Sequence, residues 1–316
     1  MSTSTDRRDF LASLAATGVG LSLGAFPMSQ AAARRTTCPL YKISVAEYSL
    51  HRLIASGGLD PRDFGPFCQQ HFDVDAVEYW MGPFNDKAQD RPYMREMHSK
   101  SVDARVQGLL IMVDIPDGKG NLGHPDAARR TEAVEIHYQW VEAAKRMGCH
   151  SIRVNARSEG SREKQAKLAA DGLRRLSQFA APSCINVLVE NHGGLSSDGA
   201  WLAGVIDQVG MRNCGTLPDF GNFRVQGDQW YDRYQGVAEL MPFAKAVSAK
   251  SHEFDEAGNE VRTDYRQMMK IVVDAGYRGY VGIEWEGGHP ESEIDGVLLT
   301  KRLLERVRDE LAAETA

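Results

Sequence analysis

Three short apolar runs in this chain end on a carboxylate. Asn186-Val-Leu-Val-Glu190 leads to His192 and the pair Gly193-Gly194, Thr216-Leu-Pro-Asp219 leads to Phe-Gly-Asn222-Phe, and Tyr280-Val-Gly-Ile-Glu284 leads to Trp285-Glu286-Gly287. A desolvated carboxylate is costly unless a cation or donors meet it, so packing alone does not finish a buried strand with an acid. Alternation along a strand sets Leu188, Glu190 and His192 on one face, with Val187 and Val189 on the other. If the three runs are neighbours, Glu190, Asp219 and Glu284 converge and offer hard oxygen ligands to one divalent ion: Mn2+, Mg2+ or, with an imidazole added, Zn2+ or Fe2+. Taken singly, each acid also reads as a helix cap or an arginine's partner; three in register favour a shared site.

Other polar residues fall near the same strand ends. In Lys245-Ala-Val-Ser-Ala-Lys-Ser-His252, one face carries Ser248, Lys250 and His252. His252 is expected to ligate the metal, directly or through water, with substrate binding as its other reading. Lys250 is expected to pair with a carboxylate or touch a substrate hydroxyl. His192 reads as a substrate donor or as a loop residue steadying the glycine turn, and Asn222 as a hydroxyl contact or a turn residue. Arg153 and Asn155 share a face of Ser151-Ile-Arg-Val-Asn-Ala156, which is expected to point into the mouth of the site. Glu78, Trp80, Trp285 and Glu286 also lie near strand ends. Indole faces suit the C–H surface of a sugar ring, and core packing explains them with equal ease.

What must position these residues is a repeated strand and helix pair. Eight apolar runs are expected at 41–50, 76–80, 106–113, 151–156, 186–190, 214–219, 244–251 and 280–284. Amphipathic stretches follow at 60–71, 91–100, 125–147, 162–181, 197–209, 230–241, 263–275 and 293–311. Asp60-Pro61 suits a helix start and Gly276 a helix stop. Eight such pairs without a leftover segment or internal repeat predict a single-domain α/β protein, a (β/α)8 barrel, over 41–316. The loop 114–124, rich in Gly, Pro and Asp, is long enough for a site rim.

Composition narrows the partners. Net charge is −6 and the sequence holds no arginine-rich tract, which argues against nucleic acid. Five cysteines without a Cys-x-x-Cys pair are read as free thiols and not zinc ligands. Arg7-Arg8-Asp9-Phe10-Leu11, the weakly apolar run to Phe26 and the small residues Ser29 and Ala31 to Ala33 have the layout of a twin-arginine export signal over 1–33, with a short linker at 34–40. That run is shorter than the ~20 apolar residues of a spanning helix, so no stable membrane anchor is expected. The expected partner of this segment is the twin-arginine export machinery, the location is the periplasm or exterior of a bacterium, and a homo-oligomer is left open.

With these residues in view, the chain resembles the xylose isomerase-like TIM-barrel superfamily, often called sugar phosphate isomerase/epimerase, across the whole of 41–316. Val-Glu-Asn-His-Gly-Gly at 189–194, Pro-Asp-Phe-Gly-Asn-Phe at 218–223, Ala-Lys-Ser-His-Glu-Phe at 249–254 and Gly-Ile-Glu at 282–284 carry the resemblance. It implies one divalent metal held by Glu, Asp, His and Glu at strands five to eight, with Glu190 and Glu284 shuttling the proton. At strand seven the family's His-x-Lys-Asp stands here as Ser248-Ala-Lys-Ser251, and His252 follows one residue later. The implied partner is a small-molecule carbohydrate, and the implied activity is that of a sugar isomerase or epimerase on a non-phosphorylated keto sugar or sugar derivative, begun by proton abstraction next to a carbonyl. Dehydration by a related lyase shares that first step. A metal-independent glycoside hydrolase would also use paired carboxylates, and a non-catalytic sugar-binding protein would keep the aromatic rim without needing three acids.

Overall fold

The computed structural model describes residues 39–116 and 118–314. The twin-arginine segment at 1–33 and most of the linker lie outside the described residues. Eight parallel strands follow one another around a barrel: β1 (Lys42–Ala46), β2 (Ala76–Trp80), β3 (Gln107–Met112), β4 (Ser151–Val154), β5 (Asn186–Glu190), β6 (Cys214–Leu217), β7 (Val247–Ser251) and β8 (Tyr280–Trp285). Each pairs with its sequence neighbour, and β1 pairs with β8. Between β6 and β7 the ladder is reduced to single bridges at Thr216–Ala244 and Asp219–Ser248. Pro218 explains the break, since it has no N–H to donate, and its carbonyl accepts from Ser248 N at 2.9 Å. Two expected site residues, Asp219 and Ser248, are therefore pinned to each other at this seam.

Helices cover the outside: α1 (Phe64–Phe72), α2 (Arg91–Asp103), α3 (Ala127–Arg146), α4 (Arg162–Ala180), α5 (Gly199–Val209), α6 (Arg233–Leu240), α7 (Tyr265–Asp274) and α8 (Glu293–Glu314). Six of them, α2 to α7, start after Asp90, Asp126, Ser161, Asp198, Asp232 or Asp264, whose side chain accepts from the N–H three residues on. These caps fix where each loop ends, which is why α5 and α6 begin later than the apolar pattern suggests. Before α6 the chain forms an antiparallel hairpin, Arg224–Gln226 with Gln229–Trp230, over residues not expected to be strand.

The large core lies between strands and helices, with Trp140, Phe64, Phe220 and Leu304 fully buried. A smaller interior core of Ala46, Leu110, Met112, Leu188, Leu217 and Ala246 fills the barrel beneath the mouth. Cys68, Cys149, Cys184 and Cys214 are free thiols. No helix among the described residues is long and apolar enough to cross a membrane.

Glu47, just after β1, is fully buried; one oxygen accepts from Trp80 N at 2.8 Å and Oε1 has no partner. Burial pushes its carboxyl up to about 8, only partly offset by the Trp80 N–H. A folded-state pKa above the unfolded value means that the fold holds a proton the open chain has released. This contribution to stability is thus present below about pH 4.5 and is lost as pH rises to about 8. Urea unfolding at pH 5.5 and 8.5 is expected to show a loss that Glu47→Gln reduces by roughly 2–4 kcal/mol; equal losses in both proteins would refute it.

Candidate active site

The C-terminal ends of β2 to β5 and β8 open into a mouth cavity of about 300 Å3 lined by Tyr48, Trp80, Asp114, Arg153, His192 and Glu284, among others. Glu284 reaches this cavity, and behind it Glu190 and Asp219 are buried, each of the three with a carboxylate oxygen within 4.8 Å of the others'. The three acids expected to converge do so.

The sequence after each strand sets its acid's pose. Asn191 clamps the β5 and β6 ends together: its Nδ2 donates to the Asp219 carbonyl at 3.0 Å, and its Oδ1 accepts from Asp219 N at 2.8 Å. Asp219 Oδ1 then accepts from the N–H groups of Gly221 and Asn222, both at 2.8 Å. Asn222 Nδ2 donates to Glu190 Oε1 at 2.8 Å, and its Oδ1 accepts from Lys250 Nζ at 3.2 Å. Asn222 thus orients a carboxylate and an ammonium from a single amide.

Two cations offset part of this negative charge. Lys250 Nζ lies 3.7 Å from Asp219, 3.5 Å from Glu284 and 3.1 Å from Glu286. Burial alone would depress its amine, yet Asp219, Glu284 and Glu286 outweigh it and hold the group protonated. Arg153 Nε stands 2.8 Å from Glu190 Oε2, and its Nη1 donates to Asp114 Oδ1 at 2.7 Å. The Nε contact is an ion pair without an aligned hydrogen bond, because Glu190 Oε2 and Arg153 Nε are both left without one. Burial, opposed chiefly by Arg153, keeps Glu190 above the usual carboxylate range; in Glu284 burial is overcome by Lys250 and Arg153, and the group stays below it.

Ser248 Oγ approaches Asp219 Oδ2 at 2.8 Å and Glu284 Oε2 at 2.7 Å. One hydroxyl proton cannot serve two ionised carboxylates, so the pair is satisfied only by a further proton or a cation. Glu190 Oε2, in the same cluster, is buried and accepts no hydrogen bond. Among the described residues, five acids, Asp114, Glu190, Asp219, Glu284 and Glu286, are paired with two permanent cations, Arg153 and Lys250. Hard donors, surplus negative charge and an unsatisfied oxygen fit a divalent cation held by Glu190, Asp219 and Glu284.

Other expected site residues are placed differently. His252 is not in the acid cluster; its Nε2 lies 4.0 Å from Glu286 and its ring lines a neighbouring pocket. It follows the last residue of β7, and its backbone N–H donates to Glu260 at 3.2 Å, which turns the chain away from the floor. Ser248, two residues deeper than Lys250, faces the acids instead. Trp285 is fully buried outside the barrel, where Gly296 of α8 leaves room for its ring and Phe254 stacks at 5.9 Å. Alternation explains it: Glu284 and Glu286 point inward, so Trp285 points out. Glu78 is also removed from the mouth, buried beside Ser44 Oγ at 2.8 Å and under the Gly282 backbone.

The rim aromatic is Trp80, half-buried, with its Nε1 donating to Asp114 at 3.2 Å and Tyr48 meeting it edge-on at 4.9 Å. Asn155 donates to Asp114 at 2.9 Å. His192 faces the mouth with Nδ1 free of a partner, and burial, with the Arg153 and Lys250 charges, lowers it to about 4, so its ring is neutral. Asp114 was not singled out as a site residue, although it ends a strand run much as Glu190 does.

Residues 70–308 match the Xylose isomerase-like TIM barrel family, and the chain belongs to it. The fold is similar to a D-tagatose 3-epimerase-like protein (TM-score 0.65, 14% identity, 87% of this chain and 100% of that one). It is also similar to the IolI protein with a binding zinc atom (TM-score 0.65, 13% identity, 85% and 98%). A third solved structure, 3-keto-D-glucoside 4-epimerase from E. coli, gives a TM-score of 0.61 at 15% identity over 83% and 99%. At these identities the likeness establishes the fold. Two curated relatives match shorter segments: the 3'-dehydrocarminate deglycosidase alpha subunit of Microbacterium sp (32% identity over 87 residues, 27% of this chain and 25% of the relative) and the C-glycoside deglycosidase alpha subunit of Arthrobacter globiformis (38% over 63 residues, 20% and 16%). The matched segments thus span a quarter or less of each curated relative's length.

Proposed function

We propose that this chain is a divalent-metal-dependent isomerase or epimerase of a keto sugar or keto-glycoside, working by proton abstraction next to a carbonyl. The observation that carries this is the buried convergence of Glu190 and Asp219 with Glu284, which lines a cavity rimmed by Trp80 and His192. The sugar epimerases among its structural neighbours and the zinc named in one of them support it. Glu190, Asp219 and Glu284 would hold the ion, and the chemistry it supplies when bound is Lewis-acid polarisation of a carbonyl oxygen. One of Glu190 and Glu284 takes the proton from the carbon beside the carbonyl, and the electron pair moves onto the carbonyl oxygen. The other returns a proton to the neighbouring carbon or to the opposite face. Lys250, kept protonated, and the neutral His192 ring donate to substrate hydroxyls, and Trp80 covers the ring's C–H face.

A lyase reading shares the first step: after proton loss a leaving group departs from the adjacent carbon instead of a proton returning. The segments shared with two deglycosidase subunits favour it. Incubation of purified protein with D-tagatose and with methyl 3-keto-β-D-glucoside in D2O separates the readings. NMR is expected to show deuterium beside the carbonyl, with an epimer under the first reading and free methanol under the second. Neither deuterium nor product from any keto sugar would overturn both.

Export of the chain is proposed on the Arg7-Arg8 segment. Arg7→Lys/Arg8→Lys is expected to leave the precursor in the cytoplasm on cell fractionation, and normal export of that variant would remove the twin-arginine assignment.

A further inference from the structure

Beside the acid centre lies a second pocket of about 340 Å3 with the opposite character. Arg157, Arg224, Arg233 and Arg262 line it together with His252 and Trp230, and no carboxylate does. Arg233 donates to Thr263 Oγ1, and none of the four guanidinium groups has a carboxylate partner among the described residues. Arg153, four residues before Arg157, has two. The arginines come from separate segments. Arg157 follows β4, Arg224 lies on the hairpin after β6, Arg233 opens α6 and Arg262 lies in the loop after β7.

That loop is organised from inside. The buried Glu260 accepts from the N–H groups of His252 at 3.2 Å, Arg262 at 2.7 Å and Thr263 at 2.5 Å, which fixes the Arg262 backbone and leaves its guanidinium free. Arg224 and Trp230 are cross-strand partners in the hairpin, which sets both side chains on one face, and the indole is 57% exposed. Burial first, then Arg262, Lys250 and Arg233, depresses the His252 imidazole to about 4, which leaves a neutral ring among the cations. Four converging guanidinium groups without a counter-charge repel one another, and an oxyanion relieves that repulsion while taking forked hydrogen bonds. The two pockets adjoin, since Arg157 and His192 line both.

We propose that this arginine pocket is a subsite for an oxyanionic substituent, a carboxylate or a phosphate, of the same molecule whose sugar ring sits over Glu190, Asp219 and Glu284. The inference rests on reading the acid centre as a sugar site and adds that the substrate is anionic. Trp230 covers the charged arm at the rim, and His252 donates a hydrogen bond to it. This gives His252 and the exposed indole roles that the acid centre does not.

Binding tests this without turnover. Methyl β-D-glucuronide, D-glucose 6-phosphate and methyl β-D-glucoside are titrated into the purified protein, with calorimetry and tryptophan fluorescence as readouts. At least one anionic sugar is expected to bind about 10- to 100-fold more tightly than the neutral glucoside. Which one does so distinguishes carboxylate from phosphate. That preference is expected to shrink toward unity in Arg224→Gln/Arg262→Gln and to weaken with salt; Arg157→Gln alone should reduce it in part, and serves if the double variant fails to fold. Equal binding of charged and neutral sugars by the wild type, or a preference untouched by these variants, would overturn the subsite. Failure of the keto-sugar reading is seen separately, as absent deuterium exchange, and leaves this binding preference readable.

Discussion

Glu190→Gln and Glu284→Gln are each expected to lower solvent-proton exchange into a keto-sugar substrate by about 100- to 10,000-fold, the usual cost of losing a positioned general acid or base. The amide keeps the size of the side chain but can neither accept nor release the proton. Glu190 already receives Asn222 Nδ2 at 2.8 Å and Glu284 already meets Ser248 at 2.7 Å, so both variants keep a partner for the retained oxygen. Far-ultraviolet circular dichroism should therefore be unchanged while exchange collapses. A variant exchanging deuterium at the wild-type rate would take that residue out of the chemistry.

Lys250→Met is expected to destabilise the folded protein by about 3–5 kcal/mol in urea titration, because it removes the cation from a fully buried set of acids. Without the ammonium, Asp219 and Glu284 lose the charge that holds their carboxyl groups down against burial. Both would then bind protons more readily in the fold, and the variant's stability should fall as pH rises through their raised values. Added Mn2+ or Mg2+ is expected to restore part of the loss, since a cation at the three carboxylates replaces the missing charge. Unchanged stability in Lys250→Met would mean that the acids are compensated by something else.

The fold was legible because each strand carries an apolar run and most helices begin at a capping Asp or Ser. The run at 76–80 became β2 and the run at 186–190 became β5 with the same limits. Boundaries moved where a local feature overrode the pattern: Pro218 ends β6 early, and Asp232 delays α6 behind a hairpin. The three central acids could be read because strand ends place them directly. Trp285 and Glu78 were misplaced for one reason: nearness to a strand end does not say which face or which depth a side chain occupies. The position of His252 outside the acid cluster was not legible, because counting alternation past Ser251 assumes that the strand continues, whereas Glu260, eight residues later, captures the His252 N–H. The Arg153 ion pairs and the four-arginine pocket were invisible, since they join loops far apart in sequence.

The central claim, a cation at Glu190, Asp219 and Glu284 supporting proton removal, is tested most directly by one exchange measurement. Protein purified without chelator, then stripped with EDTA, then resupplied with Mn2+, Mg2+ or Zn2+, is incubated with D-tagatose or methyl 3-keto-β-D-glucoside in D2O and followed by NMR. The account predicts deuterium beside the carbonyl at the start, its loss on stripping and its return with at least one of the ions, with one ion bound per chain by elemental analysis. Exchange that continues undiminished in fully stripped protein would contradict it.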